Sequence, residues 1–142
     1  EALDFHQRAL TMRKNCDATN YAGIVDTLIN IANVLRDQEK YNEAIEFQQQ
    51  ALMMREQHYP SDDVNIACSL SSIATILNKQ RQYDEALEFY QRALEIYEKS
   101  CPSNPDVIAN GLIDIADILN QQGKYEEAIE FQQRALTIRE DN

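Results

Sequence analysis

The stretch EEAIEFQQRALTIRE, residues 126–140, decides the fold because nearly the same text occurs four times in the chain. The four copies begin at Glu1, Glu43, Glu85 and Glu127, always 42 residues apart. They read EALDFHQRALTMR, EAIEFQQQALMMR, EALEFYQRALEIY and EAIEFQQRALTIR. A constant spacing of this length is typical of a structural unit that is repeated and stacked on its neighbours.

Each unit carries two helical patterns of apolar residues. In DTLINIANVL, which starts at Asp26, the apolar residues follow the spacing i, i+3, i+4 and i+7 of one helix stripe. The first stripe comprises Leu28, Ile31, Ala32 and Leu35, then Leu70, Ile73, Ala74 and Leu77, then Leu112, Ile115, Ala116 and Leu119. The second comprises Ala44, Phe47, Ala51 and Leu52, then Ala86, Phe89, Ala93 and Leu94, then Ala128, Phe131, Ala135 and Leu136. Each unit is therefore predicted to be a helix hairpin.

Helix starts recur with the same period. Asn20, Asp62 and Asn104 precede the first helices, where a short polar side chain can accept a hydrogen bond from a free amide, and Pro105 suits a first helical position. Small alanines in both stripes let the two helices of a hairpin pack closely. The pattern predicts a second-type helix near 1–15, followed by first and second helices near 21–38 and 42–57, 63–80 and 84–99, and 105–122 and 125–140.

The predicted fold class is all-α, a right-handed superhelical solenoid of seven helices in antiparallel hairpins, with the first helices on the concave side. We expect a single domain of about three and a half repeats. Its parts are a half repeat at 1–19 and repeats at 20–61, 62–103 and 104–142. Because the chain opens at Glu1 inside a repeat, we also expect it to be a segment of a longer polypeptide.

Composition narrows the classes of partner. The net charge of −11 disfavours a surface that neutralises nucleic-acid phosphates or binds anionic lipid. No run of about 18 apolar residues and no targeting signal is visible in the sequence. We therefore predict neither a nucleic-acid nor a membrane partner. Cys16, Cys68 and Cys101 are widely spaced, which argues against a disulfide framework or a zinc site and favours an intracellular, cytoplasmic setting.

Motifs for catalysis or cofactor binding are absent from the sequence. It contains no glycine-rich phosphate loop, no His-Glu-x-x-His and no Gly-x-Ser-x-Gly. Asp114 and Asp117 form the sharpest acidic pair, since they lie three residues apart on one helix face. A metal or acid/base site needs further converging groups. We therefore predict no enzyme activity, no metal and no cofactor.

Polar residues lie opposite the apolar stripe of each first helix, so stacking would align them along the concave side. Asn, Ser, Thr and Gln can donate to and accept from a peptide backbone. Arg36 and Lys79 favour acidic groups in the first half of this groove, and Asp114 and Asp117 favour a Lys or Arg at the far end. The alternative is that these are solvated helix faces. The predicted groove residues are Asp26, Asn30, Asn33, Arg36, Asp37, Ser72, Thr75, Asn78, Lys79, Asn110, Asp114, Asp117, Asn120 and Gln121.

The stretch GKYEEAIEFQQRALTI, from Gly123, resembles the second helix of a tetratricopeptide repeat through Tyr125 and Ala128. Typical members repeat every ~34 residues, whereas here extra residues follow the second helix in EQHYPSDDVNIA and EKSCPSNPDVIA. That spacing, with NPDVIANGLIDIADIL, is similar to the units of kinesin light chain. The glycine before the second helix is present as Gly123 only, and Glu39 and Arg81 stand in its place in the other copies.

The resemblance implies a scaffold that binds a peptide or a partner protein in its concave groove. Asn30 matches an asparagine that the kinesin-type groove presents, while Ser72 and Asp114 take the equivalent places in later repeats. One alternative is homotypic end-to-end assembly, because a truncated solenoid exposes apolar side chains at both ends. A second alternative is a regulatory arm of a larger enzyme. The end residues are Leu3, Phe5 and Leu10 at the start, and Ile129, Leu136 and Ile138 at the finish.

Overall fold

The computed structural model describes residues 2–16 and 20–140, and all regular secondary structure in those ranges is α-helical. The helices are α1 Ala2–Cys16, α2 Tyr21–Asp37, α3 Tyr41–His58, α4 Asp63–Lys79, α5 Tyr83–Ser100, α6 Pro105–Gln121 and α7 Tyr125–Glu140. We call α2, α4 and α6 the first helices, and α1, α3, α5 and α7 the second helices. Every predicted helix is present, and its predicted ends lie within one residue of the observed ends.

The chain divides into two compact units. Residues 1–62 hold α1 to α3, and α2 packs on both of its neighbours in that unit. Residues 63–142 hold α4 to α7, and each of these helices packs on the next one along the chain. The predicted fold class, an all-α array of antiparallel helix hairpins, is confirmed. The detailed division into a half repeat and three repeats stays a prediction.

The first-helix stripes form the core of each unit. All of their Leu, Ile and Ala members are buried, from Leu28 in α2 to Leu119 in α6. The alanines of the second helices face them, and Ala44, Ala86 and Ala128 are completely buried. Because an alanine occupies each close approach of two helices, neighbouring Leu and Ile side chains fill the remaining space.

One member of the predicted second-helix stripe lies outside the core. Leu52 and Leu94 are buried, but Leu136, at the same position of the last repeat, is 56% exposed. In α5 this position packs against α6, and no described helix covers the matching side of α7. Ile129 is also exposed, whereas Leu10 and Ile138 are half-buried. The side chains of the predicted end residues Leu3 and Phe5 lie outside the described residues.

Polar caps define the starts of two first helices. The Asn20 side chain accepts a hydrogen bond from the Gly23 amide at 3.0 Å, and Asn104 accepts one from the Val107 amide at 3.4 Å. Pro105 occupies the start of α6, where a missing amide proton costs nothing. The predicted caps at Asn20 and Asn104 are confirmed, and the cap at Asp62 stays a prediction. None of the described helices is long and apolar enough to cross a membrane.

The turn inside each hairpin requires a left-handed residue. Glu39, Arg81 and Gly123 occupy the same position of their repeats, with φ values of 60°, 62° and 78°. Two backbone hydrogen bonds close the turn each time; around Arg81 they run from the Arg81 amide to the Asn78 carbonyl and from the Gln82 amide to the Leu77 carbonyl. Glycine adopts this φ without strain, whereas a side chain makes it unfavourable. Glu39 and Arg81 are therefore strained where Gly123 is not.

Replacing the strained turn residue is expected to stabilise the protein. Arg81→Gly should raise the free energy of unfolding by about 1 kcal/mol, because it removes the steric cost of the left-handed conformation. Gly123→Ala is the matched opposite change, and should lower the same quantity by about 1 kcal/mol. A Cβ at Gly123 would meet no atom within 4 Å, so only backbone strain contributes. Urea unfolding measures both, and an Arg81→Gly variant less stable than wild type would contradict the expectation.

The open ends of two hairpins, α2–α3 and α4–α5, are each closed by a pair of side chains at matching positions of the repeat. In the first unit the Tyr21 ring stacks on His58, with ring centroids 3.5 Å apart and planes inclined by 9°. In the second unit Ser100 Oγ donates a hydrogen bond to Asp63 Oδ2 at 2.7 Å. We call these pairs the hairpin clasps. The same two positions thus join the end of a second helix to the start of its first helix by different chemistry.

Candidate functional site

The predicted groove residues divide between the two units. Those of α2 lie in the first unit, where Asp26, Asn30 and Asp37 are exposed, while Asn33 and Arg36 are half-buried. The Arg36 guanidinium binds the neighbouring Asp37 carboxylate at 3.1 Å. Since Asp37 already neutralises Arg36, this cation is a weaker attraction for acidic groups than its sequence position indicates.

Thr75 of α4 meets an aromatic side chain of α5. The hydroxyl groups of Thr75 and Tyr90 lie 2.9 Å apart. Thr75 Oγ1 also donates to the Ser71 carbonyl oxygen at 2.9 Å, which uses its only proton. Tyr90 is therefore the donor to Thr75, and its oxygen retains acceptor capacity. Tyr90 itself is buried, and burial raises the pKa of its hydroxyl.

A second tyrosine of α5 reaches α4 about two turns nearer the start of α4. The Tyr97 hydroxyl donates to Cys68 Sγ at 3.3 Å. Burial raises the pKa of Tyr97, the hydrogen bond to Cys68 adds to the rise, and a hydrogen bond with Ser71 opposes it. Asp114 also acts electrostatically on Tyr97. The Tyr97 proton is thus committed to Cys68, as the Tyr90 proton is to Thr75.

Two carboxylates of α6 lie close to these tyrosines. Burial is the main cause of the raised pKa of Tyr90, and the negative charges of Asp114 and Asp117 add to the rise. Burial raises the pKa of Asp114 to about 6, and the charge of Asp117 adds to the rise. Asp114 is half-buried, whereas Asp117 is exposed. At pH 7 most Asp114 side chains are therefore ionised, although at a cost in solvation.

These side chains form one polar surface within the second unit, which we call the α4–α6 patch. Asp117 and Cys68 are its exposed members, Asp114 is half-buried, and its tyrosine and threonine protons are already used in hydrogen bonds within the protein. The patch therefore presents acceptor lone pairs and the negative charge of Asp114 and Asp117. The patch consists of Cys68, Ser71 and Thr75 of α4, Tyr90 and Tyr97 of α5, and Asp114 and Asp117 of α6.

The other predicted groove residues of this unit are not members of the α4–α6 patch. The Oδ1 atom of Asn78 is buried, so it does not face solvent. Ser72 donates its hydroxyl proton to the Cys68 carbonyl oxygen at 2.9 Å. Asn110 accepts a hydrogen bond from Arg139 of α7 at 2.8 Å. Lys79 and Gln121 are exposed and Asn120 is half-buried near the ends of their helices.

The sequence alone did not identify Tyr90, Tyr97 and Arg139 as site residues. Tyr90 and Tyr97 belong to a second helix, whose inward positions were interpreted as core. Their phenol rings are buried, but their hydroxyls extend beyond the core to α4. The 42-residue repeat was the sequence signal that could have identified these pairs of residues. Tyr97 and Arg139 occupy one position of the repeat, and their partners Cys68 and Asn110 occupy another. Both pairs join a second helix to the polar side of a first helix.

Asp114 is expected to make stability depend on pH. Its pKa of about 6 lies above the ordinary value of 3.8, so folding favours the protonated form. The cost of ionising Asp114 is therefore fully present above pH 6 and disappears as the pH falls towards 4. Asp114→Asn should stabilise the protein by about 1 kcal/mol at pH 7.5, a figure reduced by solvent screening of this half-buried group.

Urea unfolding of wild type and Asp114→Asn between pH 4.5 and about 7.5 measures that cost. The stability difference between the two proteins should shrink as the pH falls. Asp106→Asn, at an exposed acid of the same helix, controls for the loss of one negative charge. A difference that stays constant over this pH range would contradict the expectation.

Asp114 and Asp117 do not belong to a larger cluster of metal-binding side chains. Among the described residues, no three or more His, Cys, Asp or Glu side chains are arranged to hold a metal ion. Cys68 and Cys101 are free thiols.

Two comparisons relate the repeats and the fold of this chain to known proteins. The family model described as tetratricopeptide repeat matches residues 1–57 and 65–141. The comparison with curated proteins gives no match. Solved structures of low sequence identity share the fold, and the chain covers between about a third and two thirds of their lengths.

Three of these structures show the range of sequence identity and coverage. BtubC (BKLC) from P. vanneervenii is 17% identical with a TM-score of 0.88, and the alignment covers 98% of this chain and 56% of that one. A putative kinesin light chain from Podosopora anserina with nearly identical TPR-like repeats is 14% identical with a TM-score of 0.82, covering 99% and 66%. Aspartyl phosphate phosphatase F from Bacillus subtilis is 22% identical with a TM-score of 0.83, covering 98% and 35%. The predicted resemblance to repeats of the kinesin-light-chain-like type is confirmed.

Proposed function

Because the chain belongs to the tetratricopeptide repeat family, we propose that it is a protein-interaction scaffold that binds a peptide segment of a partner protein. The segment carries a Lys or Arg side chain, and the α4–α6 patch receives that side chain. Polar residues of α4 and α6 bind the peptide backbone on either side. The role is binding without catalysis, as is typical of such repeat arrays, and the predicted intracellular setting is part of the same proposal.

The proposal rests on which hydrogen-bond donors and acceptors of the α4–α6 patch are already used within the protein. Tyr90 donates to Thr75 and Tyr97 donates to Cys68, so neither hydroxyl proton is free to meet an acceptor on a ligand. Asp114 and Asp117 add acceptors that carry charge. An ammonium or guanidinium group has only donors, and it complements this surface better than a neutral or acidic group does.

Partial burial strengthens the expected pairing. Asp114 is half-buried beside two tyrosine rings, so its charge is less screened than that of a fully exposed acid. A cation that binds there also removes the repulsion between Asp114 and Asp117. Hydrogen bonds that involve a charged partner contribute about 1.5–3 kcal/mol each. The chain's net charge of −11 attracts a basic segment from a distance and raises the association rate.

The experiment is selection from a displayed random peptide library against the wild-type chain. Selection against an Asp114→Asn, Asp117→Asn variant runs in parallel, since Asn keeps the size of the side chain and removes its charge. We expect the wild type to enrich peptides with a Lys or Arg at a fixed position, and the variant to lose that preference. Enrichment of the same peptides by both proteins, or of peptides without a cation, would exclude the α4–α6 patch as the recognition site.

A further inference from the structure

The Asp114 carboxylate of the α4–α6 patch has no partner for its charge among the described residues. No side chain there donates a hydrogen bond to it, and no Lys, Arg or His there forms an ion pair with it. Tyr90 already donates its proton to Thr75 of α4. Tyr97 already donates its proton to the Cys68 thiol of the same helix. Because Asp114 is half-buried, water solvates its charge incompletely.

The charged and titratable groups around Asp114 do not offset this cost. Helix α6 packs on α5 and on α7. From α5 come Tyr90 and Tyr97, and burial raises the pKa of both hydroxyls, so they carry no charge at neutral pH. From α7 comes Arg139, but its guanidinium binds a side chain about one turn nearer the start of α6. On α6 itself Asp117 adds a like charge, which raises the pKa of Asp114 further.

Two events relieve a half-buried carboxylate in these surroundings. It can take up a proton, which removes the charge, or it can pair with a positive group of a ligand. The two events exclude each other, because protonated Asp114 has no charge to attract a cation and its proton occupies one of its oxygens. The pKa of Asp114 is about 6, so proton uptake begins just below neutral pH.

Resting on the proposed function, we propose that a proton and the cationic side chain of the ligand compete for Asp114, so that the α4–α6 patch binds its peptide tightly at neutral pH and weakly after mild acidification. Asp117 contributes twice to this behaviour. Its negative charge attracts the ligand, and its repulsion of the Asp114 charge favours the proton when the ligand is absent. The competition therefore belongs to the pair of carboxylates and not to either one alone.

The direction of the effect follows from the linkage between binding and protonation. A bound cation stabilises the ionised form of Asp114 and so lowers its pKa. Peptide binding then releases a proton, and the affinity falls as the pH falls through about 6. If pairing returns the pKa to its ordinary value of 3.8, the affinity should fall about tenfold between about pH 7.5 and about pH 5.

The probe is an Arg-containing peptide from the library selection that lacks His, Asp and Glu and has blocked termini. Arg keeps its charge throughout, so only the protein gains or loses protons. Isothermal titration calorimetry measures the affinity between about pH 5 and about pH 7.5. At about pH 6, two buffers with different heats of ionisation give the number of protons exchanged on binding. We expect the wild type to release about half a proton per bound peptide under these conditions.

Three variants separate the competition from general effects of acid. Asp114→Asn should bind more weakly at neutral pH, and its affinity should change less than about twofold over the same range. Asp117→Asn should keep the pH dependence with a lower midpoint, because the repulsion that favours protonated Asp114 is gone. Asp106→Asn, at an exposed acid of the same helix, should behave as the wild type does. Circular dichroism at each pH checks that every protein is folded.

Failure of this inference is distinguishable from failure of the proposed function. No binding of any basic peptide at about pH 7.5 would overturn both. An affinity that is equal at about pH 7.5 and about pH 5, or an equal fall in wild type and Asp114→Asn, would overturn the competition alone. Binding by the wild type without proton release would do so too. Where Asp114→Asn binds too weakly to measure, the proton release of the wild type and the midpoint of Asp117→Asn decide.

Discussion

Charge reversal at Asp114 and Asp117 is expected to weaken binding of a basic peptide at least 100-fold. The Asp114→Lys, Asp117→Lys variant replaces two attractive charges by two repulsive ones at the surface where the ligand cation binds. A 100-fold loss corresponds to about 2.7 kcal/mol, which is within the range of about 1.5–3 kcal/mol for losing one hydrogen bond to a charged group. Fluorescence anisotropy with a Lys- or Arg-containing peptide from the library selection measures the change.

The matched control changes the net charge equally at a different place. Glu88 and Glu95 are exposed residues of α5, and each lies two positions before one of the buried tyrosines, so they face away from the α4–α6 patch. The Glu88→Lys, Glu95→Lys variant should lose less than about threefold in affinity, through long-range electrostatics alone. Equal losses in the two double variants would show that total charge, and not the α4–α6 patch, determines affinity.

The same substitution at two equivalent positions is expected to have very different effects on stability. Leu94→Ala should lower the free energy of unfolding by about 2–4 kcal/mol, because it leaves a cavity where Leu94 packs on α6. Leu94 is 7% exposed and approaches Gly111 closely. Leu136→Ala removes the same atoms from a side chain that is mostly in water. Its cost should be below about 0.5 kcal/mol.

Urea unfolding followed by far-ultraviolet circular dichroism compares the two variants under identical conditions. Because both replace Leu by Ala in a second helix, the change in helix propensity is the same and cancels in the comparison. Two results would contradict the structure: costs of equal size, or a larger cost at Leu136.

The repeat made the helices predictable. The stripe of Leu28, Ile31 and Leu35, its two later copies and the caps at Asn20 and Asn104 depend only on local spacing and on backbone hydrogen bonding. These features are encoded within about ten neighbouring residues, so the sequence predicts helices and their ends accurately. The left-handed turn also has a local origin, since it depends on the backbone conformation of one residue. The residue type indicates this turn in one copy only, because the other two copies have Glu39 and Arg81 in place of Gly123.

The candidate site was less predictable because its geometry depends on contacts between helices. Tyr90 and Tyr97 are outside the predicted stripe of their helix, yet both are buried. The position of a hydroxyl at the end of a buried ring depends on the neighbouring helix. Asn78 was expected to face the groove, and its Oδ1 is buried instead. Leu136 shows the same limit, since its burial depends on what covers it and not on its own residue type.

The hairpin clasps have a consequence for how the chain folds. Sequences that repeat almost exactly risk joining a helix of one repeat to the partner helix of another, which traps misfolded forms. If α2 paired with α5, Tyr21 would meet Ser100 and could not form the ring stack that it makes with His58. Each of these two hairpins thus has its own pair of contacting residues at its open end. The differences between the repeats favour correct pairing during folding, even though the repeats share one architecture.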